Sequence, residues 1–122
     1  MNGDKIKELQ NSNDSTLFID TYYDSILCKY YLITCNHGFI KSYDYDKSNI
    51  YYKYSDNNNH CIYFNAIVNN NNGVTELIAS SSDGIIRIFN FHSSSLLNKI
   101  IVNNQRLIGL YLWNDNYLLM KY

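Results

Sequence analysis

The sequence contains no proline and only 5 glycines among its 122 residues. Without proline, chain reversals must rely on Gly, Asn, Asp and Ser, which either reach positive φ or hydrogen-bond to the nearby backbone. The few glycines are scattered, so none of the glycine-rich loops that cradle phosphate groups is present. This argues against a nucleotide-binding enzyme of that kind.

The chain also lacks an excess of charge of one sign and long apolar runs. Its 10 Lys and Arg against 11 Asp and Glu argue against the basic surface of a nucleic-acid platform. No apolar run approaches membrane-spanning length, and the N-terminal stretch MNGDKIKELQNSNDS lacks the apolar core of a signal peptide. A disulfide framework would leave one of Cys28, Cys35 and Cys61 over. We therefore expect an intracellular, cytoplasmic protein that binds neither nucleic acid nor membrane.

Aromatic residues, by contrast, are abundant. The chain has 13 tyrosines, and hydrophobic residues make up 46% of the sequence. Tyr and Ile favour half-buried pleated surfaces, so the composition favours a β fold. The length suits one small domain. We expect a polar lead-in at residues 1–15 and a β domain at 16–122.

Two segments of the chain repeat one pattern. Residues 32–45 read LITCNHGFIKSYDY, and residues 77–91 read LIASSSDGIIRIFNF. Each begins with Leu-Ile, crosses a polar turn that ends in glycine, and then alternates apolar with polar residues. The two turn glycines, Gly38 and Gly84, lie 46 residues apart. A period of about 40–50 residues built from short strands is typical of propeller blades.

The second repeat predicts four antiparallel strands, at 61–68, 75–80, 85–91 and 96–102, with the loop NNNNG after the first of them. Asp83 and Gly84 complete the turn between the second and third strands. Gly84 is predicted to have positive φ there, and Gly38 is its counterpart in the first repeat. In the third strand, alternation places Ile86 on one face and Arg87 and Phe89 on the other.

The stretch LIASSSDGIIRIFNF resembles the centre of a WD-repeat blade. That family's pattern is an apolar strand, Ser-rich residues and Asp-Gly, followed by Ile-Arg-Ile-Trp-Asp. Phe89-Asn90 stands at the Trp-Asp position here, and Tyr43-Asp44 stands there in the earlier repeat. The resemblance implies an all-β fold, a partial β-propeller of four-stranded antiparallel WD-repeat-like blades.

The blades are expected at about 16–56 and 61–102, with an incomplete third at 106–122. Because the last blade would lack two strands, we expect an open apolar edge and self-association. The chain departs from the family in lacking its Trp and its Gly-His dipeptide. His60 lies near the expected His position, so a network of His60, Ser80 and Asp83 is conceivable.

Several clusters of Cys, His and Asp residues are better explained by structural roles than by metal binding or catalysis. Cys35, His37, His60 and Cys61 lack the short paired spacing of zinc sites, and cysteines on strands usually act as small hydrophobes. No oxyanion loop accompanies a Cys–His pair. Asp44 and Asp46 are expected to share one solvated strand face.

For two aromatic features, the sequence does not decide between a role in the core and a role in an interface. Tyr51, Tyr52 and Tyr54, beside Lys53, are predicted to pack rather than to stack on bases. The single tryptophan, Trp113, ends a predicted strand and could be either a core residue or a hot spot.

No catalytic, metal or cofactor site is expected, because no convergent set of ionisable residues stands out. By analogy with WD-repeat propellers, the chain is predicted to be a non-enzymatic scaffold that binds other proteins or peptides. A truncated product without function, or a small ligand-binding β domain, are the alternatives.

Overall fold

The computed structural model describes residues 16–56, 61–102, 109–113 and 117–121, and all the regular structure in them is β-strand. The first sheet contains β1 (Phe18–Asp24), β2 (Lys29–Cys35), β3 (Ile40–Asp44) and β4 (Asn49–Tyr54). The second contains β5 (Tyr63–Asn71), β6 (Val74–Ser81), β7 (Ile85–Asn90) and β8 (Leu96–Ile101). A two-stranded sheet contains β9 (Gly109–Trp113) and β10 (Tyr117–Lys121). Each sheet is antiparallel, with its strands side by side in chain order.

The second sheet has the four predicted strands, but β5 is longer than expected. It extends to Asn71, through most of the polyasparagine run that was predicted to be a loop. Asn72 and Gly73 have φ of 51° and 85°, and Asn71 pairs with Val74 across them. Two consecutive residues with positive φ make a type I′ turn, which matches the twist of the flanking strands. The asparagines are therefore mostly strand, closed by a two-residue hairpin turn.

The turns repeat between the two sheets. Gly38 and Gly84 have φ of 80° and 75° in the turns before β3 and β7. In the next turn, Ser48 donates its backbone N–H to the carbonyl of Asp44, and Ser94 donates to that of Asn90, each over 2.9 Å. Asp44 and Asn90 stand at the Asp position of the Trp-Asp pattern. The residue at that position thus begins the same hairpin turn in both sheets.

A β-bulge is repeated as well. In the first sheet, Ser42 pairs with Tyr52 and Tyr43 with Ile50, so that Tyr51 is the extra residue. In the second sheet the same shift falls between Ile88 and Phe89, opposite residues 96–98. A bulge breaks the simple alternation of faces by placing two residues opposite one. Tyr51 and Tyr52 consequently both pack against the main core.

The main core lies between the first two sheets and is here called the junction core. The first sheet contributes Tyr31, Ile33, Cys35, Ile40 and Tyr54, and the second contributes Cys61, Tyr63, Ala66, Leu77, Ala79, Phe89 and Phe91. A smaller cluster on the opposite face of the second sheet contains Ile78 and Ile86. The predicted alternation in β7 is thus present, because Phe89 and Ile86 belong to different clusters.

The sheets approach one another through their first strands: β1 contacts β5, and β5 contacts β9. Residues 61 and 62, just before β5, accept hydrogen bonds from turns of both sheets. Gly38 donates its N–H to the carbonyl of Cys61 over 2.8 Å, and Ser82 donates to that of Ile62 over 2.9 Å. Among the residues described, no helix is long and apolar enough to cross a membrane.

Candidate functional site

Arg87 is the most unusual buried residue of the fold, because its charged side chain is only 1% exposed. Its Nη2 donates to Asp83 Oδ2 over 2.7 Å, and its Nε donates to Asp56 Oδ2 over 2.7 Å. Its Nη1 donates to Ser81 Oγ over 2.8 Å and to Asp83 Oδ1 over 3.1 Å. A buried guanidinium is tolerated only when such partners replace its hydration.

The Arg87 network joins the two sheets, since Asp56 comes just after β4 and Arg87 lies in β7. The hydrogen bond from Arg87 lowers the pKa of Asp56, against the opposing effect of burial, and Lys99 at 3.2 Å adds to the lowering. At Asp83, burial alone would raise the pKa, but hydrogen bonds from Arg87 and Ser81 leave it lowered. Both carboxylates are therefore held ionised against the guanidinium.

The observed partners of Asp83 are Ser81 and Arg87, whereas the network considered from the sequence paired it with Ser80 and His60. Asp83 is bonded to Ser81, not to Ser80, whose buried hydroxyl has no hydrogen-bond partner within the described part of the chain. His60 lies outside the described residues. Strand alternation explains the change, because Ser81 shares the face of Arg87, whereas Ser80 points to the opposite face. Lys41, which matches Arg87 in the repeat, is buried as well.

A second polar bridge between the sheets is centred on His92, in the turn after β7. Its Nε2 lies 3.2 Å from Asp24 Oδ2, and its Nδ1 lies 2.8 Å from the hydroxyl of Tyr51. An ionised carboxylate only accepts, so Nε2 carries the proton. In the neutral ring Nδ1 then accepts from Tyr51. One imidazole thus contacts a buried carboxylate and a tyrosine hydroxyl of the first sheet.

Aromatic rings surround Phe91 between these two polar bridges. Tyr22 and Tyr31 meet it edge-on at 5.4 and 5.1 Å between centroids, and the Tyr54 ring stacks at 6.1 Å. The Tyr54 hydroxyl donates to the Phe91 carbonyl over 2.6 Å. Edge-to-face and offset pairs of this kind add to the stabilisation from burial.

The packing interpretation of the tyrosines in β4 is confirmed. Tyr54 is fully buried in the junction core, and Tyr51 and Tyr52 pack against it. Burial raises the pKa of both Tyr51 and Tyr54. Lys53 points to the other face, where its Nζ lies 4.3 Å from the centroid of the Phe39 ring.

The expectation for Asp44 and Asp46 is wrong. Asp44 ends β3 and is buried, whereas Asp46 is exposed in the following turn, so the two do not share a strand face. Asp44 accepts from the Lys47 backbone N–H and from Lys29 Nζ, each over 3.2 Å. Burial would raise its pKa, but these two donors leave it lowered. A turn begins at Asp44 because its carboxylate binds the backbone three residues ahead.

The three described residues of the hypothetical zinc set lie in two settings, two buried cysteines and one exposed histidine. Cys35 and Cys61 are buried in the junction core, and burial raises the pKa of each thiol, which opposes formation of the thiolate that zinc binds. His37 is exposed and forms an isolated bridge with Ile62. His60 lies outside the described residues, among which no group of three His, Cys, Asp or Glu side chains could hold a metal ion.

An exposed apolar surface lies at the tip of the first hairpin. Its members are Tyr23 (46% exposed), Ile26 (80%), Leu27 (51%), Tyr30 (56%) and Tyr45 (44%). We call these five residues the tyrosine hairpin patch. They were not singled out from the sequence, although YYDSILCKYY contained the signal. An apolar Ile-Leu pair stands there where a turn usually has polar residues.

Trp113 lies in β9, but its side chain is outside the described part of the structure. The choice between core and hot spot therefore remains a prediction. The described residues offer two internal polar bridges, an aromatic junction and an exposed apolar patch. The polar bridges and the aromatic junction hold the first two sheets together, and the ionisable groups of the bridges are paired with one another. The apolar patch is exposed to solvent.

Comparison of the sequence with known protein families finds no match, and comparison with curated proteins finds none either. Solved structures do match. A chain in the crystal structure of BBS1N in complex with ARL6DN, soaked with lead, is similar to this chain with a TM-score of 0.63 at 16% identity. The match covers 86% of this chain and 36% of that one, a β-propeller protein. The fold is therefore all-β and propeller-like, with two complete four-stranded blades in the described residues, and the chain spans about a third of its structural neighbour.

Proposed function

We propose that the chain is a non-enzymatic scaffold that binds other proteins, of the WD-repeat-like propeller type, or a segment of such a scaffold. The observation that carries this proposal is the use of the ionisable side chains. Arg87, Asp56 and Asp83 bind one another, and His92 binds Asp24. These groups hold the two blades together rather than converging on a cleft, which favours a rigid support over a catalyst.

The structural neighbour supports the same proposal by analogy. It comes from a complex of two proteins, BBS1N and ARL6DN. Fold likeness at 16% identity says nothing of which partner this chain binds. We further propose an intracellular location. The thiols of Cys28 and Cys35 form no disulfide, which is typical of proteins in reducing compartments.

The proposal is tested by chemical crosslinking in cell extract, followed by reconstitution with each purified candidate. A scaffold should form at least one stoichiometric complex with a purified protein, measured by isothermal titration calorimetry. In parallel, a small-molecule thermal-shift screen and hydrolase and transferase assays are run on the same preparation. A saturable small ligand, or turnover that His37→Ala or Asp83→Asn abolishes without unfolding the protein, would contradict the scaffold.

The matched negative control is a chain carrying Arg87→Met, in which the junction between the blades is weakened. A specific partner should bind it less tightly at temperatures where the variant is partly unfolded. Light scattering on the wild-type chain tests the predicted self-association in the same series. A monodisperse monomer would contradict that prediction without affecting the scaffold proposal.

A further inference from the structure

The tyrosine hairpin patch lies on the face of the first blade that corresponds to a buried face of the second blade. Tyr45 follows β3 as Phe91 follows β7, and Tyr45 donates its N–H to the carbonyl of Tyr30 over 3.1 Å. Phe91 donates in the same way to the carbonyl of Thr75 over 2.9 Å. Tyr30 and Tyr45 therefore hold the repeat positions of Thr75 and Phe91.

Matched positions on this face differ in exposure between the two blades. The second blade buries them on the side of the first blade, whereas the first blade exposes them. The matched pairs, with their exposed fractions, are Tyr45 (44%) and Phe91 (0%), Tyr30 (56%) and Thr75 (8%), and Ile19 (61%) and Ala66 (0%). In a stacked array, the first unit exposes the face that its successors bury against a neighbour. The repeat thus indicates that the occupant of this face is another blade-like sheet.

The junction between the first two blades shows what a covering sheet looks like. The rings of Tyr22 and Tyr31 meet the Phe91 ring edge-on, at 5.4 and 5.1 Å between centroids. These two tyrosines pair with each other across β1 and β2. A sheet that covers Tyr45 in the same way needs a pair of aromatic residues at the same register.

The third sheet of the chain has such a pair. Trp113 pairs with Tyr117 across β9 and β10, as Tyr22 pairs with Tyr31 across β1 and β2. The sequence gives the same match, because YLLMK begins at Tyr117 and YLITC begins at Tyr31. β9 contacts β5 as β5 contacts β1, so the third sheet follows the second in the array. Its aromatic pair therefore stands at the positions from which a blade covers its successor.

The second blade lacks an aromatic pair at this register. Its matched positions hold Asn69 and Glu76, which pair with each other across β5 and β6. The repeat therefore does not require aromatic residues there. Aromatic residues are enriched at the centre of protein interfaces. Their presence at Trp113 and Tyr117 favours a contact with a further sheet.

We propose that the tyrosine hairpin patch is the docking site for the third sheet of a second copy of this chain. The patch and the third sheet lie at opposite ends of the array, with the second sheet between them, so they meet only between copies. Tyr45 of one copy meets Trp113 and Tyr117 of the next, in the arrangement that surrounds Phe91 within the chain. The two faces differ, so the contact is head-to-tail and leaves one of each free. The inference goes beyond the scaffold proposal, since association of copies needs no other partner.

The test uses two variants of the full chain, each of which removes one of the two faces. The patch variant carries Tyr30→Thr and Tyr45→Asn. The sheet variant carries Trp113→Asn and Tyr117→Glu, which copy the polar pair of the second blade. Sedimentation velocity at about 50 μM measures the association of each variant alone and of their equimolar mixture.

The control variant carries Leu97→Asn and Ile101→Asn on β8, two apolar side chains that are 47% and 77% exposed. It removes as much exposed apolar surface outside the two proposed faces. Circular dichroism and thermal melting verify that each variant is folded. Tyr117→Glu alone replaces the sheet variant if the double substitution unfolds the chain.

We expect the wild-type chain to form dimers or larger species. The dissociation constant should rise at least about tenfold for the patch variant alone and for the sheet variant alone, as for removal of an interface anchor. It should change less than about twofold for the control. The mixture of the two variants should recover a one-to-one dimer that grows no further, because one retains the third-sheet face and the other retains the patch.

A monomeric wild-type chain would overturn the inference, and so would a mixture that stays monomeric. Association lost only in the patch variant would mean that the patch binds itself, and association retained in both variants would place the contact elsewhere. Either result would overturn the head-to-tail contact. None of these results affects the scaffold proposal, which the crosslinking and reconstitution experiment decides.

Discussion

Arg87 and Asp56 lie 31 positions apart in the chain, yet Arg87 Nε donates to Asp56 Oδ2 over 2.7 Å. The bond joins the third strand of one blade to the second residue after the last strand of the other. Because the guanidinium is 1% exposed, the bond is shielded from water and from salt. It therefore links the two blades more firmly than a surface ion pair could.

Replacing Arg87 by methionine should destabilise the fold by about 3 kcal/mol, because removing one partner leaves the other charges partly buried and unpaired. Urea unfolding followed by tyrosine fluorescence measures the change. Lys99→Met is the matched control, since Lys99 binds the same Asp56 but is 46% exposed. Its cost should stay below about 1 kcal/mol, as for exposed pairs. Equal costs for the two substitutions would show that burial does not distinguish the two bonds.

Acid should weaken the fold through the carboxylates bound to Arg87. The pKa values of Asp56 and Asp83 are lowered in the folded chain, whereas in the unfolded chain they return to about 3.9. Their contribution to the free energy of unfolding is thus complete above about pH 4 and is lost as pH falls through the folded values. Urea titrations between pH 3 and 7 are the measurement.

The matched variant for the acid experiment is again Arg87→Met, which removes the largest lowering contribution to the pKa of both carboxyl groups. Its free energy of unfolding should depend less steeply on pH below about 4 than that of the wild type. Parallel curves would mean that other groups are responsible for the acid sensitivity. Asp44, whose pKa is also lowered, provides the part of the dependence that should remain in the variant.

Substitutions at two turn residues should have opposite signs. Gly84 has φ of 75°, so Gly84→Ala should destabilise by about 1 kcal/mol. Ser94 has φ of 66° although it carries a side chain, so Ser94→Gly should relieve strain and stabilise by about 0.5 kcal/mol. Thermal melting of the two single variants tests both. A stabilising Gly84→Ala would be incompatible with the left-handed conformation.

The His92 bridge should be measurable as a coupling energy. Tyr51→Phe removes the hydroxyl that lies 2.8 Å from Nδ1, and His92→Ala removes the ring. A double-mutant cycle of these two changes should give a coupling of about 1 kcal/mol, as for neighbouring hydrogen-bonded residues. A value near zero would indicate that Tyr51 contributes through ring packing alone.

The sequence predicts the local features of this fold well. The strands β6, β7 and β8 lie within about two residues of their predicted bounds, because alternation and Asp-Gly act over short distances. The left-handed turn at Gly84 has the same local origin. The length of β5 was missed because polar asparagines carry no apolar pattern, and the Asn-Gly turn that ends the strand went unrecognised.

The hydrogen bonds and ion pairs between the blades could not be predicted from the sequence, for a different reason. His92 meets Asp24 across 68 positions, and no local pattern links the two. The repeat showed a cation, Lys41, at the place of Arg87, but no local pattern indicated that Arg87 is buried. Its partner Asp56, however, could be identified only once the blades were placed face to face. Likewise, exposure of Ile26 and Leu27 depends on what the fold leaves uncovered.

The bulge that occurs in both blades leaves one residue in the last strand of each outside the strand pairing. Because Ser42 pairs with Tyr52 and Tyr43 with Ile50, deleting Tyr51 would leave both pairs and every later pair of β4 unchanged. The same holds for Leu97, the extra residue opposite Ile88 and Phe89. Elsewhere in a strand, the loss of one residue would turn each following side chain to the opposite face. Each blade therefore has a place in its last strand where evolution can shorten the chain without rebuilding the sheet.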